Sequence, residues 1–316
     1  MNIPKLLKTE TLDFIRNLEA VDSDGPFQNE VVESRFDCMK FAIQTIERDS
    51  SQSPADLDGL RIWFRERAAP TLFKSRMIKR ATDWPEGYPG DYLTLEAVYE
   101  NKPQGICLAA YLDRYFLSRM LAVAVRSRLR KLTADLVRIK SEETTGNWLN
   151  IACGSCRELL PIQIGDNDRI IHCVDSDSNA LAYARELVAF KNLDAFLFHT
   201  ENAFRLVSAR RNVERFGKLA VIYSAGLFDY IKSDQLVRVL AGLYGSLGEN
   251  GILIAPFKDA RKYETFDYHW CVKWDFFIQR TEEDYRQIFS DAGIPTEKMT
   301  VERDASGVIL FFYAKR

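Results

Sequence analysis

Residues 152–158 read Ala-Cys-Gly-Ser-Cys-Arg-Glu and follow a short apolar run, Trp148 to Ile151. A turn of small residues after a strand lets the backbone come close to a ligand, and the next helix points its N-terminus at it. Three turn positions that glycine fills in dinucleotide-binding proteins are held here by Ala152, Gly154 and Cys156, so one glycine remains. Asp175 ends the next apolar run, 21 residues after Gly154. A carboxylate at that distance can accept hydrogen bonds from both ribose hydroxyls of a nucleoside. Asp177 is a weaker substitute, and either aspartate could instead cap a helix from Ser178. In the next loop, residues 200–203, Asn202 could meet an adenine amino group or simply form a turn. The candidate cofactor-binding set is Ala152, Gly154, Asp175, Asn202, Ser224 and Tyr92.

Other residues could act on a bound substrate. The segment 226–231, Gly-Leu-Phe-Asp-Tyr-Ile, follows a fourth apolar run and offers Phe228, Asp229 and Tyr230; Asp229 could accept a proton, orient an amine or cap a helix. Residues 82–92 hold two prolines, two glycines and Trp84, Tyr88, Asp91 and Tyr92. Such a loop could close over a ligand with aromatic faces suited to a cation, or its aromatics could anchor the helical region. Asp91 could also cap the helix that follows it. Of three histidines, His269 alone lies in a loop placed for catalysis, beside Tyr263, Tyr268, Trp270 and Trp274. Cys153 and Cys156 form a Cys-x-x-Cys, but no second pair supplies four zinc ligands. A redox pair would also precede a helix; the simpler reading is small thiols in the place of glycines. No metal is expected.

These residues need elements to hold them. Residues 1–145 read as helical: Leu12, Ile15 and Leu18 in one segment, Met39, Phe41, Ile43 and Ile46 in a second. A third opens at Ser53-Pro54 and could run to about Arg80 with a break at Pro70, a short one follows over Tyr92 to Glu100, and a continuous helix runs from Gly105 to about Ser141. Arg126 to Lys140 reads as the solvated face of that helix. From residue 146 onward, apolar runs at 148–154, 169–177, 195–203, 218–231, 249–257 and 306–316 alternate with helical stretches at 178–192, 233–247 and 280–293. Ser233 or Asp234 could cap the second of these helices, and Thr281 with Asp284 forms a capping box at the third. Alternating strand and helix implies an α/β fold, a parallel Rossmann-like sheet with helices on both faces. The division expected is a helical cap or lid region, 1–145, and a Rossmann-like domain, 146–316, joined at 141–147.

The motifs LNIACGSCRE, CVDSD, ENA and ENGILI, in that order, resemble those of class I S-adenosylmethionine-dependent methyltransferases. The segments GYPGDYLTLEAVYE (87–100), GLFDYI and WDFFIQRTEEDYR (274–286) are similar to a bacterial subgroup, the hydroxy-fatty-acid methyl ester synthases. The resemblance implies S-adenosylmethionine as cofactor and methyl transfer to a small molecule bearing a carboxylate, hydroxyl or amine. Three other readings stand beside it. One is a cyclase or alkyl transferase that releases methylthioadenosine, of the azetidine-2-carboxylate synthase type. The others are a non-catalytic cofactor-binding scaffold and a nicotinamide dehydrogenase.

The bulk numbers fit such an enzyme. The net charge of −2 among 316 residues gives no global field for nucleic acid. No run of 18 apolar residues is present to span a membrane, and the N-terminus lacks the apolar core of a signal peptide. A cytoplasmic enzyme with six free thiols is expected, its helical region serving substrate binding or assembly as a homodimer.

Overall fold

Helix-forming residues with apolar side chains three and four positions apart dominate the first part of the chain. The computed structural model describes residues 3–21, 28–49, 53–142, 146–164, 169–274 and 276–316. Seven helices come first: α1 (Lys5–Glu19), α2 (Gln28–Glu47), α3 (Pro54–Leu72), α4 (Arg76–Asp83), α5 (Tyr92–Glu100), α6 (Leu108–Ser118) and α7 (Met120–Ser141). There follow β1 (Asn147–Ile151), β2 (Ile171–Asp175), α8 (Ser178–Leu187), β3 (Phe196–Thr200), α9 (Ala209–Phe216) and β4 (Leu219–Tyr223). The chain ends with α10 (Ser233–Gly245), β5 (Leu247–Lys258), α11 (Glu282–Asp291), β6 (Met299–Arg303) and β7 (Ile309–Lys315). Two compact units emerge: residues 1–123 with 264–276, and residues 124–263 with 277–316.

The helical unit differs from expectation in its details. The buried stripe of α1 is Leu7, Thr11, Phe14 and Leu18, whereas Leu12 is exposed. Phe14 meets Phe36 of α2 edge to face, and that pair sets which side of α1 is covered. Phe41 likewise points outward. Ser53 caps α3 with Pro54 in the first turn, as the sequence implies, and Asp56 completes a capping box. The helix they open runs through Pro70 and stops at Leu72; Ser75 then caps α4. The long helix expected over 105–141 is two helices, because Arg119 adopts an extended conformation. There the Ser118 hydroxyl and the Arg119 guanidinium donate to the Tyr115 carbonyl at 2.7 and 3.1 Å, taking the acceptor that the Arg119 N–H would use in an unbroken helix. Such a break involves no glycine or proline, so periodicity gave no sign of it.

In the second unit the sheet order is β3-β2-β1-β4-β5-β7-β6. The first five strands are parallel, and β7 runs antiparallel between β5 and β6. Helices cover both faces, as an α/β reading requires, and β2 and β4 are buried throughout. The chain leaves β1 in one direction through β2 and β3, then returns to β4 on the other side. Ligands bind such sheets beyond the carboxyl ends of the strands where this order reverses. One face carries the main core: Phe216, Phe228, Leu236, Leu240 and Leu243 with Phe257, Tyr285, Phe289 and Phe312. Two expectations at helix starts resolve differently. Thr281 and Asp284 do form their capping box, but α10 begins after Lys232 with no side-chain cap. Helix α9 was not foreseen, because its sequence is almost wholly polar outside Val213 and Phe216. Residues 143–145 of the expected linker lie outside the described residues. The expected division at 145/146 falls at the start of β1, whereas the compact units part at 123/124, within α7, and 264–276 belongs with the helices.

Candidate functional site

The turn after β1 is built from left-handed residues. Ala152, Gly154 and Cys156 have φ of 49, 53 and 56°. Only glycine enters that region without a steric penalty, so Ala152 and Cys156 hold strained backbone in this turn. The turn brings the Gly154 N–H to Asp175 Oδ2 at 2.9 Å, while the Asp177 N–H donates to Oδ1 at 3.0 Å. Asp175 therefore stands at the carboxyl end of β2 directly beside the turn after β1. It is 8% exposed, and burial pushes its carboxyl above the ordinary range. Burial of this kind favours hydroxyl donors that would solvate the charge, as a ribose diol does. Helix capping falls to Asp177, which accepts the Asn179 N–H at 2.8 Å, so Asp175 is not used as a cap.

Beneath the turn lies a buried polar cluster. Asn150 and Tyr223 sit side by side in register on β1 and β4. The Asn150 amide and the Tyr223 hydroxyl both donate to Glu158 Oε1, at 2.8 and 2.9 Å. Desolvation pushes the Glu158 carboxyl up to about 8, so it is largely protonated at neutral pH. Cys156 Sγ lies 3.6 Å from Cys173 Sγ and accepts from Asn150. All three thiols at positions 153, 156 and 173 are buried and free. Among the described residues no group of three or more His, Cys, Asp or Glu is arranged to hold a metal.

At the ends of β4 and β5 a second arrangement appears. The Asp229 carboxylate accepts the Lys258 ammonium on Oδ2 at 2.5 Å. Its Oδ1 accepts the Lys258 N–H at 3.2 Å and the Tyr285 hydroxyl at 2.9 Å. Lys258 is 5% exposed, and desolvation lowers its pKa. Phe277 and Tyr230 present their rings 4.8 and 5.6 Å from Lys258 Nζ. Lys258 and Tyr285 escaped sequence reasoning; the available signal was a lysine closing the fully apolar run Gly251 to Phe257. Ser224, fully buried at the end of β4, accepts the Leu227 N–H at 3.4 Å. Asn202 is exposed and accepts the Phe204 N–H at 2.9 Å, closing a short turn after β3.

The remaining candidates belong to the helical unit. Asp91 is buried and caps α5 through the Leu93 and Thr94 N–H groups, at 3.0 and 2.9 Å. Arg80 Nε donates to the same Oδ1 at 2.9 Å and the Thr94 hydroxyl to Oδ2 at 3.1 Å, so both oxygens are engaged. Tyr92 is buried in the first turn of α5 and Tyr88 is half-buried in the preceding loop. Trp84 of this loop meets Phe276 edge to face at 4.8 Å, and Gly90 lies against Trp274, where a Cβ would come within 2.6 Å. These aromatics thus pin the loop to the segment 264–276 of its own unit. His269 sits in a buried π-helical turn, Asp267–Cys271, with Trp270 donating to Glu47 at 2.9 Å. Sequence placed Ala152, Gly154, Asp175, Asn202, Ser224, Asp229 and Tyr230 in one unit, and the structure keeps them there. Tyr88, Asp91 and Tyr92 are in the other, and so is His269, which the sequence places with the sheet.

Among the described residues no helix is long and apolar enough to cross a membrane. Comparison with curated proteins gives no match. A solved structure described as a possible exported protein from Bordetella parapertussis is 15% identical, covers 98% of this chain and 95% of its own, and superposes with a TM-score of 0.59. Magnesium protoporphyrin IX methyltransferase from Synechocystis PCC 6803, solved with S-adenosylhomocysteine, is 13% identical over 71% of this chain and 94% of its own, with a TM-score of 0.47. Residues 86–260, more than half of the sequence, match a family described as "Putative methyltransferase". The chain belongs to that family, and it is an enzyme of the methyltransferase class whose methyl donor is S-adenosylmethionine.

Proposed function

We propose that this enzyme methylates a small molecule at a carboxylate, hydroxyl or amine, and that the donor's nucleoside is held between the turn at 152–156 and Asp175. The observation that carries the reading is the 2.9 Å hydrogen bond from the Gly154 N–H to Asp175, which sets a buried carboxylate beside the turn after β1, next to the point where the strand order reverses. S-adenosylmethionine supplies a methyl group on a sulfonium, displaced in line by the acceptor. Since positive charge on sulfur falls as the methyl moves, the protein's tasks are to orient both partners and to exclude water.

In this reading Ala152 and Gly154 offer backbone to the donor, Asp175 accepts the ribose hydroxyls, and Asn202 and Ser224 line the adenine and sulfur sides. Asp229 is assigned to positioning: three donors already occupy its carboxylate, so it orients Lys258 rather than taking a proton from the acceptor. Tyr230 supplies an aromatic wall beside Lys258. Within the helical unit, Asp91 caps α5 and so fixes the loop that carries Tyr88. The similarity to hydroxy-fatty-acid methyl ester synthases favours an acceptor with a carboxylate and an apolar body. Incubation with S-adenosylmethionine and pooled small-molecule acceptors, followed by mass spectrometry of the nucleoside product, tests the reading. Methyl transfer yields S-adenosylhomocysteine. Methylthioadenosine as the sole enzyme-dependent product would overturn it in favour of cyclisation or alkyl transfer.

A further inference from the structure

The helix α7 was read from sequence as presenting a solvated basic face, yet Arg128 within it is 3% exposed. Its guanidinium lies flat on Gly226 in the loop after β4: a Cβ at Gly226 would sit 2.9 Å from Nη1, 3.1 Å from Nη2 and 3.2 Å from Cζ. Gly226 lies two residues beyond Ser224 and three before Asp229, so the cation faces the end of the sheet where the acceptor is expected. Arg128 Nε is buried with no hydrogen-bond partner, and Arg128 forms no ion pair among the described residues. The nearby carboxylate, Asp229, is already matched by Lys258. A buried guanidinium with neither carboxylate nor full hydrogen bonding is costly, because desolvation of the charge is not repaid within the protein. Its planar fork of donors fits a carboxylate by two parallel hydrogen bonds.

We propose that Arg128, cradled by Gly226, is the receptor for a ligand carboxylate in the active site. Two ligands can bring that group: the methionine end of the donor, or the acceptor. The proposal rests on the methyl-donor reading above for which ligands enter, and on Arg128 alone for the site itself. Lys258 adds a second positive charge to the same region, and the repulsion between it and Arg128 contributes to the lowering of its pKa. A ligand anion would offset both.

Isothermal titration of wild type, Arg128→Met and Gly226→Ala tests this. Three probes are used: S-adenosylhomocysteine, 5′-methylthioadenosine, which is the same nucleoside thioether without the amino acid, and decanoate added to protein saturated with S-adenosylhomocysteine. Gly226→Ala displaces the guanidinium while keeping its charge, and Arg128→Met removes an unpaired buried cation, so thermal stability should hold or rise. If the donor's carboxylate fills the site, both variants bind S-adenosylhomocysteine at least tenfold more weakly and methylthioadenosine unchanged. If the acceptor's does, decanoate binding is lost in both variants while both nucleosides bind as in wild type. Arg128→Met binding all probes within threefold of wild type, or wild type binding no decanoate with nucleoside affinities unaffected, overturns the proposal. A wild-type chain that binds neither nucleoside refutes the donor reading instead; the decanoate comparison on unloaded protein then decides the Arg128 site.

Discussion

Replacing Asp175 by alanine should weaken S-adenosylhomocysteine binding by a factor that the geometry allows one to bound. The carboxylate spends one lone pair of each oxygen on the Gly154 and Asp177 N–H groups, leaving one on each for a ribose diol. A hydrogen bond to a charged group contributes about 1.5–3 kcal/mol, so two contribute at least about 3 kcal/mol. That corresponds to a loss of roughly 150-fold or more in affinity. The turn also loses the anchor of Gly154, which adds to the effect. Asp175→Asn keeps one acceptor oxygen and should fall between the two. Stability is affected less than affinity, because removing a carboxyl whose pKa is raised by burial relieves an existing penalty. Isothermal titration on a variant shown to melt cooperatively is the assay. Methylthioadenosine, which has the same ribose, should lose affinity by the same factor. A Kd for either nucleoside within threefold of wild type would refute the assignment of Asp175 to the sugar.

Glu158 should make stability fall as pH rises. Its carboxyl goes from 4.5 when unfolded to about 8 when folded, so its contribution is complete below pH 4.5 and is lost as pH rises through about 8. Glu158→Gln should therefore gain stability over wild type between pH 5 and pH 9, by roughly 3–5 kcal/mol at the upper end; a difference in Tm that does not grow with pH contradicts this. Ala152→Gly relieves a left-handed alanine at φ 49° and should stabilise by about 1 kcal/mol, a rise in Tm of about 2 °C in scanning calorimetry. No rise would mean that the turn is not strained there. Asp229→Ala leaves the buried Lys258 ammonium without its partner and should cost about 3–5 kcal/mol in denaturant unfolding. Adding Lys258→Met to it should recover much of that loss, and equal stability of the single and double variants would count against a tight pair.

One part of the candidate site, the turn after β1 beside the end of β2, was readable in order along the chain. A strand, a turn of small residues and an aspartate ending the next strand are local patterns, fixed by side-chain alternation and turn chemistry. The spacing from Gly154 to Asp175 is the length of one crossover, and so it forecast their meeting. The cap at Ser53 and the capping box at Thr281 were legible for the same reason, since their partners lie within three residues. Resemblance carried the donor's identity, which spacing alone could not.

Tertiary structure decided what depends on partners far apart in sequence. Asp229 looked like a free acid because Lys258 and Tyr285 lie 29 and 56 residues away, and only the closed sheet brings them to its oxygens. Arg128 looked solvated because a charged residue on a long helix usually is; the glycine that receives it comes from a loop nearly a hundred residues later. The break at Arg119 and the burial of Phe14 in place of Leu12 follow from side-chain bonding and packing that no periodicity encodes. Sequence by itself determined the strand and helix rhythm and the small-residue turn, because those are set by neighbours within a few positions. The charge state and direction of each buried polar group were decided by the assembled sheet, because desolvation and pairing exist only once water has been removed.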